Sequence, residues 1–199
     1  MRRTWNILNS MIKYEDYIGY VNMKFDDFEN HPLEKLIISL PIAEPILDVG
    51  CGNGNILNLF KGKDAMGIDP SKFAISLCEK GGINASLSTL EDFNTNQKFK
   101  TILCIGLICT IHDQNKFLIK MRDMLADGGK IYINFINKKS LKKKLGLKFA
   151  IDKGTDFFTI NEFKELLERN GLKLVKAIGT GRIKIPSLSE NILAIAEKK

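Results

Sequence analysis

The stretch "ILDVGCGNGNIL", residues 46–57, decides how the rest of the chain reads. An apolar run ends in Asp48, three glycines follow within five residues (Gly50, Gly52, Gly54), and apolar residues then resume. A short apolar run bounded by glycine predicts a buried strand that turns into a helix. Glycine tolerates positive φ and carries no Cβ, so a ligand can approach this backbone closely. A second acid, Asp69, closes the next strand, "DAMGID" at 64–69. It follows the first glycine by about twenty residues, where a carboxylate accepts two hydrogen bonds from a ribose diol.

Strand and helix alternate onward from there. "NILNLFKG" (55–62) has helical spacing, and "PSKFAISLCEKGG" (70–82) carries helix start and stop signals at its two ends. "INASL" (83–87) is a third strand, and "TILCIGLI" (101–108) is a continuous apolar run, hence a fourth, buried one. "NKFLIKMRDMLADGG" (115–129) places Phe117, Leu118, Met121, Met124 and Leu125 along one helical stripe, and "KIYINFI" (130–136) is a fifth strand. "TINEFKELLERNG" (159–171) opens with Thr159 three residues before Glu162, a capping box. "LKLVKAIG" (172–179) and "NILAIAEKK" (191–199) are two strands with no helix between them, so the last is expected to be antiparallel. The pattern predicts an α/β fold, an open doubly wound sheet with helices on both faces and its ligand at the carboxyl ends of the strands.

Composition agrees with one domain: 199 residues, 44% hydrophobic and 27% charged. Residues 1–44 are expected to form a helical lid segment, and 45–199 the core. No apolar run approaches the roughly 20 residues of a membrane span, and no signal peptide is read at the start. Cys51, Cys78, Cys104 and Cys109 show neither zinc spacing nor a C-x-x-C pair, which suits reduced thiols in a cytoplasmic protein. The net charge of +7 centres on "NKKSLKKKLGLK", 137–148. Two readings of that stretch stand: a solvated loop, or a patch that attracts an anionic substrate or acidic partner.

The glycine spacing separates two ligand classes. Dinucleotide folds use G-x-G-x-x-G, whereas this loop is G-x-G-x-G with Asn55 at the third dinucleotide position. Asp48 would repel a pyrophosphate but would favour an ammonium or a sulfonium. A cofactor with an amino-acid end, a positive centre and a nucleoside end would use both acids.

"LDVGCGNG" together with "GIDPS" resembles the class I S-adenosylmethionine-dependent methyltransferases, especially the small-molecule branch that includes ubiquinone-biosynthesis and sugar O-methyltransferases. The resemblance runs from about Pro45 to the end of the chain. "FKTILCIGLICTIHDQNKFL" looks like the family's fourth-strand segment, and "MRDMLADGGKIYINF" like its helix, GG turn and fifth strand. It implies a Rossmann-like sheet of seven strands with the last antiparallel, matching the count above. It also implies a methyl transfer from S-adenosylmethionine to a small-molecule acceptor, with S-adenosylhomocysteine as product. Gly50, Cys51, Gly52 and Gly54 would pass the methionine part over their backbone, and Asp48 would hold its ammonium. Asp69 would bind the ribose hydroxyls, with Pro70 near the adenine and Thr89, Leu90 and Glu91 along the adenine edge. Ile105 and Gly106 would line the sulfonium region. Thr89 and Lys100 replace acids that the family often carries. The family's Glu-His pair aligns either with Cys109-Thr110 or, after a two-residue slip, with His112.

His112 is the candidate base, with a structural or merely exposed histidine as the other reading. Asp113 is either its helper or the cap of the next helix. His31 is read as structural. Tyr14, Tyr17 and Tyr20 fall at helical spacing, either as core packing or as a lid in which Tyr17 and Tyr20 face the sulfonium. The acceptor atom is expected to be a hydroxyl oxygen. The six lysines between Lys138 and Lys148 point weakly to a phosphorylated or nucleotide-linked acceptor. No clustered metal ligands are seen. Two alternatives remain: a nucleic-acid methyltransferase, encouraged by the charge, and a non-catalytic cofactor-binding protein. A nicotinamide-dependent oxidoreductase is disfavoured by the glycine spacing and by Asp48.

Overall fold

The structure is a computed structural model and describes residues 32–146, 156–180 and 184–199. Tyr14, Tyr17, Tyr20, His31 and most of the expected lid lie outside the described residues. The described part opens with helix α1 (Pro32–Ile38). It then alternates β1 (Ile46–Val49), α2 (Asn55–Asn58), β2 (Ala65–Asp69), α3 (Lys72–Lys80), β3 (Ala85–Leu87) and β4 (Phe99–Cys104). After a 3-10 turn at Ile108–Thr110 come α4 (Gln114–Met124), β5 (Leu125–Ile136), α5 (Leu141–Lys144), α6 (Ile160–Arg169), β6 (Leu172–Thr180) and β7 (Asn191–Lys198).

The seven strands form one sheet in the order β3-β2-β1-β4-β5-β7-β6. Strands β1 to β5 pair in parallel, and β7 runs antiparallel to both of its neighbours, β5 and β6. The chain leaves β1 toward β2 and β3, then returns to the other side of β1 as β4. The order reverses between β1 and β4, and a crevice opens beyond the strand ends at such a point.

Successive residues of each central strand face opposite ways, so each strand feeds two cores. Leu47, Ile102, Cys104, Ile131, Ile133 and Phe135 join one face with Phe117, Leu118, Met121, Phe163 and Leu167 of α4 and α6. Ile46, Leu103, Tyr132, Leu193 and Ile195 join the other, under Leu33 and Ile37 of α1 and Phe60. The buried Tyr132 hydroxyl is satisfied by donating to the Pro41 carbonyl at 3.1 Å.

The expected caps are present. Ser71 accepts from the Ala74 N–H, Asp113 from Lys116, and Thr159 and Glu162 complete a capping box. Asp113 therefore acts as the cap of α4.

Three boundaries differ from expectation. The apolar run 101–108 does not stay a strand: β4 stops at Cys104, Gly106 turns with φ +76°, and Ile108–Thr110 coils into a 3-10 turn. The Gly106 N–H donates to the Asn134 side-chain oxygen on β5 rather than continuing the ladder. The helix expected over 55–62 keeps regular α-form only to Asn58, then tightens through i→i−3 bonds such as Leu59 to Ile56 and Phe60 to Leu57. The helix expected over 115–129 ends at Met124, because Leu125 is already extended and pairs with Phe99.

Candidate active site

The loop after β1 is pinned to the end of β2. The N–H groups of Gly50 and Cys51 both donate to the Ile68 carbonyl, at 2.8 and 3.1 Å, and Gly54 N–H bonds back to Cys51 at 2.9 Å. Gly50, Gly52 and Gly54 all have positive φ, which side chains rarely adopt. A Cβ on Gly52 would meet nothing within 4 Å, so its backbone faces open space. Gly54 differs: its Cβ would strike Ile83 at 2.6 Å and Cys78 Sγ at 3.1 Å. Gly54 thus packs the loop onto α3 and the segment before β3.

The cleft opens at the β1–β4 reversal. Asp48 and Ile105 reach it from the strand ends, Gly50, Cys51 and Gly52 from the loop, and Asn53, Asn55 and Ile56 from the turn into α2. Asp48 is 2% exposed, and its Oδ2 has no hydrogen-bond partner among the described residues. Burial, then the nearby Asp69 carboxylate, push its carboxyl up to about 7. Asp69 is better provided for: Oδ2 accepts from the Gly52 N–H at 2.9 Å and Oδ1 from Ser71 N–H at 2.8 Å. Burial raises the Asp69 carboxyl, while those two backbone donors pull it back down.

Asn55 was read from sequence only as a departure from a dinucleotide loop. It is 8% exposed, lines the same cleft, and its Oδ1 is a second buried acceptor without a donor among the described residues. The available signal was a polar residue opening a helix whose next two residues, Ile56 and Leu57, are buried.

Other predicted residues spread outward from the cleft. Pro70 follows Asp69 and is half-buried. Thr89, Leu90 and Glu91 lie beyond β3. The Thr89 hydroxyl is committed to Asp92, donating to Oδ2 at 3.0 Å and accepting from its N–H at 3.1 Å. Leu90 turns its side chain into the main core, and Glu91 is exposed. Gly106 is exposed beside Ile105, its position held by Asn134. His112 is exposed, one residue before the Asp113 cap, and makes no hydrogen bond among the described residues. Tyr17 and Tyr20 lie outside the described residues.

The lysine-rich stretch follows β5 on the same side of the sheet. Lys138 pairs with Glu162 at 3.1 Å, Lys142 pairs with Glu190 at 2.9 Å, and Lys143 stands 4.8 Å from the Phe157 ring centre. Lys139 and Lys144 form no ion pair among the described residues. Asp156 closes this region onto the segment after β4, donating its N–H to the Cys109 carbonyl and accepting from Gln114. Among the described residues, no group of three or more His, Cys, Asp or Glu side chains is placed to hold a metal. None of their helices is long and apolar enough to cross a membrane.

A seven-stranded sheet with one reversed strand, a glycine turn and two acids at the switch point define a methyltransferase core. Residues 29–177 match the methyltransferase-domain family, and the chain belongs to it. The ubiquinone biosynthesis O-methyltransferase of Nitrobacter winogradskyi is 29% identical over 152 residues, covering 67% of this chain and 58% of that protein. The chain thus spans little more than half the length of that relative. The tRNA U34 carboxymethyltransferase of Campylobacter fetus is 34% identical over 100 residues, covering 45% of this chain and 35% of that protein. Magnesium protoporphyrin IX methyltransferase of Synechocystis, solved with bound S-adenosylhomocysteine, shares the fold. Its TM-score is 0.73 over 98% of this chain and 100% of that one, at 13% identity.

The buried acid has a measurable cost. Its folded value, about 7, lies above the ordinary 3.8, so the folded state holds the proton more tightly than the unfolded chain does. Stability of the ligand-free protein therefore falls as pH rises from about 4 to 7, by roughly 4 kcal/mol in total. Asp48→Asn should melt above the wild type at pH 8, and the gap should shrink toward pH 4. Thermal melts across that range check this; a gap that does not change with pH contradicts it.

Proposed function

We propose that this chain is an S-adenosylmethionine-dependent methyltransferase acting on a small molecule, with a hydroxyl oxygen as acceptor. The observation that carries the reading is the pair of buried acceptors with no donor among the described residues, Asp48 Oδ2 and Asn55 Oδ1, lining one cleft beside the Gly52 backbone. Buried acceptors cost free energy until a donor arrives. An α-ammonium brings three N–H donors and a positive charge to the carboxylate. The Asn55 amide offers an acceptor and a donor, which matches the ammonium and carboxylate of an amino acid. Asp69, already oriented by Gly52 and Ser71, keeps lone pairs for two ribose hydroxyls. The residues present fit the cofactor.

When bound, S-adenosylmethionine supplies a methyl group on a sulfonium. Ile105 and Gly106 wall the space beyond the loop, and Asn134 fixes that wall by holding the Gly106 N–H. Positioning of the acceptor supplies much of the rate. His112, on the segment after β4, takes the hydroxyl proton. Tyr17 and Tyr20 remain part of the proposal as a lid. Lys139 and Lys144, without ion pairs among the described residues, favour an acceptor carrying phosphate or another anion, while the paired Lys138 and Lys142 temper that charge. A tRNA acceptor is the second reading, favoured by the net charge of +7 and by the similarity to a tRNA-modifying relative. Methyl transfer that falls steeply with salt on tRNA, and not on phosphorylated sugars, would select it.

The two ends of the cofactor can be tested separately. Asn55→Ala should weaken S-adenosylhomocysteine binding about tenfold but leave 5′-methylthioadenosine, which lacks the amino-acid end, unchanged. Asp69→Ala should weaken both. Calorimetry decides; equal losses for both ligands in Asn55→Ala would refute the assignment. For the base, His112→Gln should lower kcat by about 100-fold or more, with S-adenosylhomocysteine affinity intact. An unchanged rate would remove His112 from the chemistry.

A further inference from the structure

Cys51 and Cys78 are far apart in sequence and meet beneath the glycine loop. Cys51 occupies the middle of the loop and lines the cleft. Cys78 sits on the buried face of α3. The two residues share one small buried cluster with Leu57 and Ile75. Both also approach one carbonyl: Cys78 Sγ donates to the Gly52 oxygen at 3.3 Å, and Cys51 Sγ lies 3.7 Å from it. The pocket around them is built to bring them together. Gly67 on β2 leaves the notch that Cys51 fills, since a Cβ there would stand 2.6 Å from Cys51 Sγ. Gly54 likewise leaves room for Cys78, whose sulfur would be 3.1 Å from a Cβ at that position.

We propose that Cys51 and Cys78 form a dithiol oxidation site whose disulfide shuts off cofactor binding. The oxidant class is a two-electron peroxide. One sulfur attacks a peroxide oxygen, the O–O bond breaks, and a sulfenic acid and water form. The second thiol attacks that sulfur, the S–O bond breaks, hydroxide takes up the displaced proton and leaves as water, and the S–S bond forms. Two thiols lose two electrons, and one hydrogen peroxide becomes two waters. Small oxidants enter through the cleft, where Cys51 is 7% exposed while Cys78 is sealed. Cys78, held beside Cys51 in the same buried cluster, is the attacking sulfur in the second step.

The consequence runs through Gly52. Its carbonyl accepts from the thiols, and its N–H donates to Asp69 at 2.9 Å. Oxidation removes both S–H donors and draws the loop toward α3. The Gly52 backbone then shifts under the cofactor, and the Asp69 carboxylate loses one of the two donors that orient it. Cys104 and Cys109 are also buried, but neither lines the cleft.

The test treats reduced protein with hydrogen peroxide, maps disulfides by peptide mass, and titrates S-adenosylhomocysteine before and after. The expected result is a Cys51–Cys78 link, at least a tenfold loss of affinity, and full recovery in dithiothreitol. Cys78→Ser, which keeps a donor for Gly52, should bind normally and ignore peroxide. In the wild type, prior saturation with S-adenosylhomocysteine should slow the link, which tests the site even if the variant fails to fold. Absence of the link, or a link with unchanged affinity, overturns the proposal. So does an equal loss of affinity in peroxide-treated Cys78→Ser.

Discussion

A carboxyl group buried at the end of β1, with one oxygen lacking a donor among the described residues, is the constraint around which this site is arranged. Asp48 gains nothing from its neighbours in the free protein: burial and the facing Asp69 both oppose its ionisation. A fold tolerates such a group when function depends on it and the rest of the core offsets the cost. Here the two cores on the two sheet faces supply that surplus, and they are continuous through the same strands that carry the acids. An incoming cation turns the liability into binding energy, because it meets a carboxylate that solvent does not compete for.

The glycine loop translates that electrostatic demand into geometry. Two of its N–H groups are tied to β2 at Ile68, and a third, from Gly52, orients Asp69. One loop therefore sets the distance between the acid at the end of β1 and the acid at the end of β2. Its underside rests on two thiols, so the loop has chemistry on both faces. The upper face is open for a ligand at Gly52, and the lower face is packed against α3 at Gly54.

Much of this was legible in the chain because the signals were local. The loop glycines, the acids at 48 and 69, the parallel sheet implied by strand–helix alternation, and the caps at Ser71 and Thr159 are each decided within a few residues. The end of β4 was not legible. Ile105, Leu107 and Ile108 continue the apolar run, and only the Asn134 amide on another strand shows why the ladder stops at Gly106. Thr89 was expected along the adenine edge mainly by its backbone, and the bond of its hydroxyl to Asp92 is a local detail its sequence position did not reveal. Asn55 and the Cys51–Cys78 pair depend on tertiary placement: nothing in their spacing reveals an oxygen with no donor among the described residues, or two sulfurs converging on the Gly52 carbonyl.

The central claim is that Asp48 takes up a cationic amino-acid end while giving up its proton. Calorimetric titration of the wild type with S-adenosylhomocysteine at pH 7, in buffers of different ionisation enthalpy, measures this directly. The account predicts binding with release of about half a proton at pH 7, since a group titrating near 7 is half protonated there and ionises beside the ammonium. Binding with no proton released, or no binding at all, would contradict it.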